Sequence, residues 1–192
     1  MDLQVIYDKK MIKLLNRSWL FNFIPFLDSV FIAGSLAIGN IHENSDFDVI
    51  VKTTENKLYT SRFFCLLFFS LFNWRRSVEN PRDGFCFNCF VAGLPRRKAG
   101  NNQLILEPHN EYGRQLSNNL IPIEISRNYA VKNLERLFTG RFGVSLEKLL
   151  KNWQLKKINK NLNKFGINND KSRIILNEKR AEVCLSLKDI LK

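Results

Sequence analysis

Apolar positions recur at helix-compatible intervals over residues 10–26, where Leu, Ile, Trp and Phe mix, and Pro25 predicts the end of that run. Residues 29–33 form a short apolar run into Gly34 and read as a strand. Residues 46–51, Asp-Phe-Asp-Val-Ile-Val, are rich in β-branched side chains and read as a second strand. A Phe-rich helix is predicted over 56–74. Asn80-Pro81-Arg82-Asp83-Gly84 is strong turn chemistry, and residues 85–91 after it read as a buried strand.

Residues 93–102, with Arg96-Arg97-Lys98, read as an exposed basic loop or hairpin tip. A returning strand is expected over 103–107 and a short helix over 109–116, and Pro122 closes the segment after it. The pattern then turns helical over 128–138 and 145–165. Leu146, Leu149, Leu150 and Trp153 are expected on one side of the second helix, and Lys148, Lys151, Lys156, Lys160 and Lys164 decorate it. Residues 166–171 are a polar break, and 173–187 read equally as a hairpin or a helix. The order predicts an α+β fold with the carboxylates of 46–48 on a central strand.

Composition narrows this picture only slightly. At 192 residues and 45% hydrophobic content, the chain fits one domain with a real core, or one domain with a small appendage. Sixteen Phe are unusually many and cluster between Phe21 and Phe90. The net charge of +12 suits a polyanionic partner such as RNA, DNA or a triphosphate, or else reflects a solvated Lys- and Asn-rich bias, visible over 151–169. Four Cys make no disulfide framework, and the N-terminus lacks the basic start and apolar run of a signal peptide, so a reducing cytoplasm is the expected location. Residues 63–74 are twelve, nearly all apolar, bounded by Arg62 and Arg75. A membrane span needs about 20 apolar residues, so a buried helix is expected.

The chemistry concentrates between Gly34 and Asp48. Strand side chains two apart share a face, so Asp46 and Asp48 project together while Phe47 and Val49 face the core. Two adjacent carboxylates repel unless a cation lies between them, and oxygen ligands at that spacing suit Mg²⁺ with substrate phosphates. Gly34 lacks a Cβ and lets backbone approach a phosphate closely, and Ser35 adds a hydroxyl donor. A helix beginning over 36–39 would turn its free N–H groups toward the same anion. The competing reading is an Asp pair at a strand edge beside an ordinary turn.

Gly34-Ser35 with Asp46-Phe47-Asp48 resembles the signature of the nucleotidyltransferase superfamily typified by DNA polymerase β. That superfamily includes the minimal nucleotidyltransferases, the CCA-adding enzymes, the aminoglycoside nucleotidyltransferases and a group of little-characterised nucleotidyltransferase-domain proteins. The likeness extends through Ile24-Pro25, residues 33–38, Trp74-Arg75-Arg76 and Cys86-Phe87-Asn88. The resemblance implies a small mixed sheet flanked by helices, in a nucleotidyltransferase domain over 1–125 with a helical C-terminal extension over 126–192 packed on the same core. It implies two Mg²⁺ ions held by Asp46 and Asp48, with Ser35 and the Gly34 backbone on the terminal phosphates. An acceptor hydroxyl, on RNA, a protein or a small molecule, would attack the α-phosphate in line and release pyrophosphate.

Active members of that superfamily usually carry a third carboxylate on a later strand. Here Phe85-Cys86-Phe87-Asn88-Cys89-Phe90 has no acid, and Asn88 is its best positional match. Three readings follow: Asn88 ligates through its amide oxygen, Asp83 or Glu107 supplies the charge, or the chain binds nucleotide without turnover as a regulatory module. A basic RNA-binding protein with an incidental Asp pair is a further alternative, for which the Lys-rich face of 145–165 and Arg96-Arg97-Lys98 are the candidate surfaces. Cys86-x-x-Cys89 has the spacing of half a zinc site, but strand positions three apart face opposite ways, which favours core cysteines. His42 and His109 are read as solvent-exposed or structural, and Arg62, Arg75 and Arg76 as solvating ends of the Phe-rich helix or contacts to phosphate.

Overall fold

The computed structural model describes residues 2–77, 82–92, 120–164, 174–177 and 180–184, without the side chains of Asn88, Asn159 and residues from 161 onward. The expectations for 93–102, 103–107 and 109–116, with Glu107 and His109, lie outside the described residues.

Helix α1 spans Leu3–Ser18, seven residues earlier than the apolar pattern begins, because Asp2 caps it through its carboxylate and the Gln4 N–H. A 3₁₀ turn, Trp19–Phe23, follows. Strand β1 is Leu27–Ala33, the one-turn helix α2 is Gly34–Ala37, and β2 is Phe47–Thr53. Helix α3, Leu58–Leu71, crosses to β3, Phe85–Ala92. A three-residue strand β4, Ile121–Ile123, precedes helices α4, Tyr129–Leu137, and α5, Arg141–Lys164. Strands β5, Ile174–Asn177, and β6, Arg180–Cys184, form a hairpin, one of the two alternatives for that segment, so residues beyond 125 are not all helical.

The described strands make one mixed sheet in the order β4-β1-β2-β3-β6-β5. Only β2 and β3 run parallel, and α3 is the crossover that joins them. Strand β4 contains Pro122, which sequence reasoning treats as a terminator. Among the described residues it pairs with β1 alone, and an edge position has room for a residue with no N–H.

One face of the sheet carries the main core. Val30 and Ile32 of β1, Phe47, Val49 and Val51 of β2, and Phe85 and Phe90 of β3 pack with Leu14, Phe21, Leu58, Cys65, Phe69 and Leu150 from the helices. The clustered Phe residues are explained here, since the rings of Phe21, Phe85 and Phe87 lie 4.6–5.0 Å or 5.8–6.3 Å from Phe69 and Phe21 in tilted and edge contacts. The opposite face holds a smaller cluster of Phe31, Ala33, Ile50, Cys89 and Val91.

Helix α5 docks by a stripe other than the expected one. Leu150 and Ile158 are buried and Leu146 half-buried, but Leu149 and Trp153 are exposed at 63% and 50%. The stripe runs through Gln154, which is buried. Its amide donates to the Tyr59 carbonyl at 2.8 Å and accepts from Arg62 at 2.7 Å. A polar residue at the centre of a buried stripe hides it from a hydrophobicity pattern. No helix among the described residues is long and apolar enough to cross a membrane.

Candidate metal and nucleotide site

Antiparallel pairing of β1 with β2 sets Ala33 opposite Asp48 and so delivers Gly34 to the edge of the carboxylates. Gly34 has φ +69°, and a Cβ there would stand 2.0 Å from Asp48 Oδ2. Only hydrogen fits that gap, and the left-handed backbone independently favours glycine. The turn and the Asp pair, fourteen positions apart, are thus one local structure.

Helix α2 starts at Gly34 itself rather than over 36–39, and it is one turn long. Its contribution is the set of first-turn N–H groups, which have no intrahelical acceptor, more than a macrodipole. Ser35 is half-buried, and its hydroxyl makes no hydrogen bond among the described residues.

Asp46 and Asp48 share the face opposite the buried Phe47 and Val49. Asp48 is 4% exposed. Their neighbour on β3 is Cys86, in direct register with Asp48. One ligand atom from each of Asp46, Asp48 and Cys86 lies within 4.8 Å of the other two. The β3 position facing the carboxylates is therefore Cys86, two residues before Asn88, whose side chain lies outside the described residues.

A β-bulge follows directly after this pairing. Val49 pairs with Phe87 and Ile50 with Cys89, leaving Asn88 as the extra residue. The bulge resets the alternation, so Cys86 and Cys89 lie on the same face instead of opposite ones. Cys89 packs with Ile50 and Val91, faces Cys184 in the β6 register and is disulfide-bonded, whereas Cys86 is buried beside the carboxylates. Burial pushes the Cys86 thiol up to about 12. The charges of Asp46 and Asp48 add to that, against a downward pull from Arg76.

Arg76 completes the cluster. Its Nη1 donates to Asp46 Oδ2 at 2.6 Å and lies 4.0 Å from Cys86 Sγ. Burial disfavours its charge, but Asp46 and Cys86 outweigh that and raise its pKa further. The backbone fixes it there, with Arg76 N–H donating to the Phe85 carbonyl at 3.1 Å and Phe85 N–H to Trp74 at 2.7 Å. Gly84 permits this docking, since a Cβ on it would meet the Arg76 backbone N at 2.8 Å.

Other charged candidates are committed elsewhere. Asp83 accepts from Lys10 Nζ at 2.6 Å and Lys13 Nζ at 2.5 Å, and its carbonyl accepts from Arg17 at 2.7 Å. Lys10, 4% exposed, also donates to the Ser45 carbonyl at 2.7 Å. Asp83 thus anchors α1 to the segments leading into β2 and β3, and a cleft of about 430 Å³ beside it is lined by Lys9, Lys10, Lys13 and Glu43. Arg62 bonds Gln154 and lies over the Phe90 ring. The His42 side chain is exposed, and its backbone closes a turn with Ser45.

Sequence reasoning missed Cys86, Arg76 as the partner of Asp46, and the clamp by Lys10. One signal for Cys86 was present: Phe85-Cys86-Phe87 repeats the apolar–polar–apolar pattern of Phe47-Asp48-Val49. Comparison with models of protein families, with curated proteins and with solved structures gives no match to this chain.

Proposed function

We propose that the chain binds a nucleoside triphosphate on a divalent cation held by Asp46 and Asp48, and transfers its nucleotidyl group to an acceptor hydroxyl. The observation that carries the reading is the seat of Gly34 against Asp48, with no room for a Cβ between them. A bare backbone turn touching a buried carboxylate is what a phosphate bridged to a metal requires. The mixed sheet agrees with the polymerase-β-type fold that the resemblance implies, and that fold assignment belongs to the same proposal.

The carboxylates fit Mg²⁺, which takes one or two such ligands with substrate phosphates. Bound there, Mg²⁺ would neutralise charge on the phosphates and the leaving pyrophosphate. The chain's own residues do the positioning. The first-turn N–H groups at Gly34 and Ser35 take the outer phosphate oxygens, and Ser35 donates its hydroxyl. Arg76 supplies a positive charge at the rim once it leaves Asp46. The acceptor oxygen would bond to the α-phosphorus and give its proton to solvent as the bond from that phosphorus to the bridging oxygen breaks and pyrophosphate leaves, with no covalent enzyme intermediate.

A second reading, nucleotide binding without turnover, is favoured by Cys86 at the place of a third oxygen donor and by Arg76 on Asp46. Pyrophosphate release with each nucleoside triphosphate and Mg²⁺, over RNA, protein and small-molecule acceptors, separates the two. Release that disappears in Asp46→Asn and Asp48→Asn supports transfer. Mg²⁺-dependent binding with no release above those controls supports the second reading. RNA binding indifferent to both substitutions, with a steep salt dependence, would favour the basic RNA-binding alternative.

A further inference from the structure

We propose that the exposed aromatic and aliphatic face formed by the end of α1, the 3₁₀ turn and the end of α3 docks the protein onto the surface of an anionic lipid bilayer. The inference goes beyond the proposed function and needs neither metal nor nucleotide.

Helix spacing builds the face. Ile12, Leu15 and Trp19 lie at i, i+3 and i+7 and share one side of α1, opposite the buried Lys10 and Leu14. Trp19 meets Phe23 and Phe72 edge-on, each with ring centroids 5.7 Å apart, and Trp74 at 6.1 Å. Phe72 in turn stacks on Trp74 at 5.0 Å. These contacts join α1 to the C-terminal end of α3, where Leu71 and Phe72 stand. Ile12, Leu15, Trp19, Phe23, Leu71 and Phe72 are each 41–71% exposed. Single exposed apolar side chains are ordinary, but a run of large ones joined by ring contacts marks an interaction surface.

Charge then decides the occupant. The segments that build the face, residues 9–27 and 56–77, contain eight Lys and Arg and no Asp or Glu. The Arg17 guanidinium lies 5.4 Å from the Trp74 ring centroid, and exposed Arg75 follows Trp74 in the chain. Asp83 approaches from outside these segments, and its carboxylate accepts from Lys10 and Lys13 while Arg17 bonds its backbone carbonyl. An apolar face rimmed by cations complements anionic headgroups over acyl chains. Aromatic rings settle at that boundary, aliphatic side chains enter below it, and Arg reaches back to phosphate. A second copy fits worse, since it would set cation against cation in a chain of net charge +12. Nucleic acid also fits worse, because the most exposed members, Leu71, Ile12 and Leu15, have no π face on which a base could stack. The contact is one of surface attachment, since Leu14 holds the other side of α1 in the core and no described helix is long and apolar enough to cross.

The test is co-sedimentation of the full chain with phosphatidylcholine vesicles, with and without about one-third phosphatidylserine. Affinity for the anionic vesicles should exceed that for the neutral ones by roughly tenfold or more, and should weaken in high salt. Leu15→Gln combined with Leu71→Gln changes exposed positions only. It should keep the thermal midpoint and lose roughly tenfold or more in affinity, which is what removing one inserted Leu costs. Arg75→Gln should lose about fivefold. Leu137→Gln combined with Leu149→Gln, comparably exposed on α4 and α5, should change affinity by less than about twofold. Lipid with brominated acyl chains should quench the tryptophan emission of wild type, and Trp19→Phe should reduce that quenching. A protein that stays in solution with anionic vesicles, or a loss in the α4–α5 control as large as in the Leu15 and Leu71 variant, overturns the inference. Concentration-dependent dimers, or binding of single-stranded RNA, abolished by the Leu15 and Leu71 changes while vesicles are ignored, would overturn it and give the face to a second copy or to nucleic acid. Vesicle binding uses no nucleotide, so its failure leaves the transferase reading standing, and the failure of nucleotide binding leaves this one.

Discussion

Gly34 and Asp48 are in such close contact that a single added methyl group would stand 2.0 Å from the carboxylate oxygen Oδ2. Ala33 pairs with Asp48 across β1 and β2, so the contact is set by the sheet and does not depend on loop conformation. Gly34→Ala should therefore displace the Asp48 carboxylate and strain a backbone at φ +69°. Urea unfolding should show a loss of about 1–3 kcal/mol. Nucleotide affinity should fall by more than the stability change explains, since the surviving folded protein has a shifted ligand.

On the proposed function, Arg76 and a metal ion would compete for Asp46. The ion pair is largely buried, with side-chain exposures of 23% and 11%, so it is worth about 1 kcal/mol, the upper end of the range for accessible pairs. Arg76→Met should tighten metal binding in the absence of nucleotide by about fivefold. The same variant should bind triphosphate more weakly, because the charge is also lost to the ligand. Isothermal titration with Mn²⁺, then with a triphosphate, measures both directions.

Acid should release the clamp at Asp83. Burial pulls its carboxyl upward, but hydrogen bonds from Lys10 and Lys13 outweigh that and hold it below the ordinary 3.8. A carboxyl depressed in the folded state contributes stability that is present above its unfolded pKa and lost as pH falls through the folded value. Asp83→Asn should lower the urea midpoint at neutral pH, where it leaves buried Lys10 with the Ser45 carbonyl but no counter-charge. The gap between variant and wild type should close below about pH 4, as measured by unfolding across a pH series.

Glu147 of α5 caps α3 from 87 and 88 positions away. Its carboxylate accepts the Tyr59 N–H at 2.8 Å, the Thr60 N–H at 2.9 Å and the Thr60 hydroxyl at 2.5 Å. The local cap, Lys57, has no side-chain bond to offer. Glu147→Ala should cost about 1–2 kcal/mol, as loss of a charged cap does, and lower the thermal midpoint accordingly.

These contacts show where sequence reasoning reaches and where it stops. Period-two alternation is a local property, and it set Asp46 and Asp48 on one face and Phe47 and Val49 in the core. The α+β order was legible for the same reason. The partner of Asp48 was not, because it depends on register between β2 and β3, and one bulge at Asn88 changes which cysteine faces which way. Lys10 is 4% exposed, and its burial beside Asp83, seventy-three positions on, is a long-range contact that no local pattern carries. Pro122 hid β4, and Gln154 hid the docking stripe of α5, because each is a residue type that its position normally excludes.

The most direct test of the account is titration of a non-hydrolysable nucleoside triphosphate into the protein with and without Mg²⁺, alongside Asp48→Asn. The account predicts binding in the presence of the metal, and loss of at least tenfold in affinity (about 1.4 kcal/mol) on chelation or in the variant. Affinity equal in all three conditions would contradict it, since the phosphates would then be held by something other than the carboxylate that Gly34 abuts.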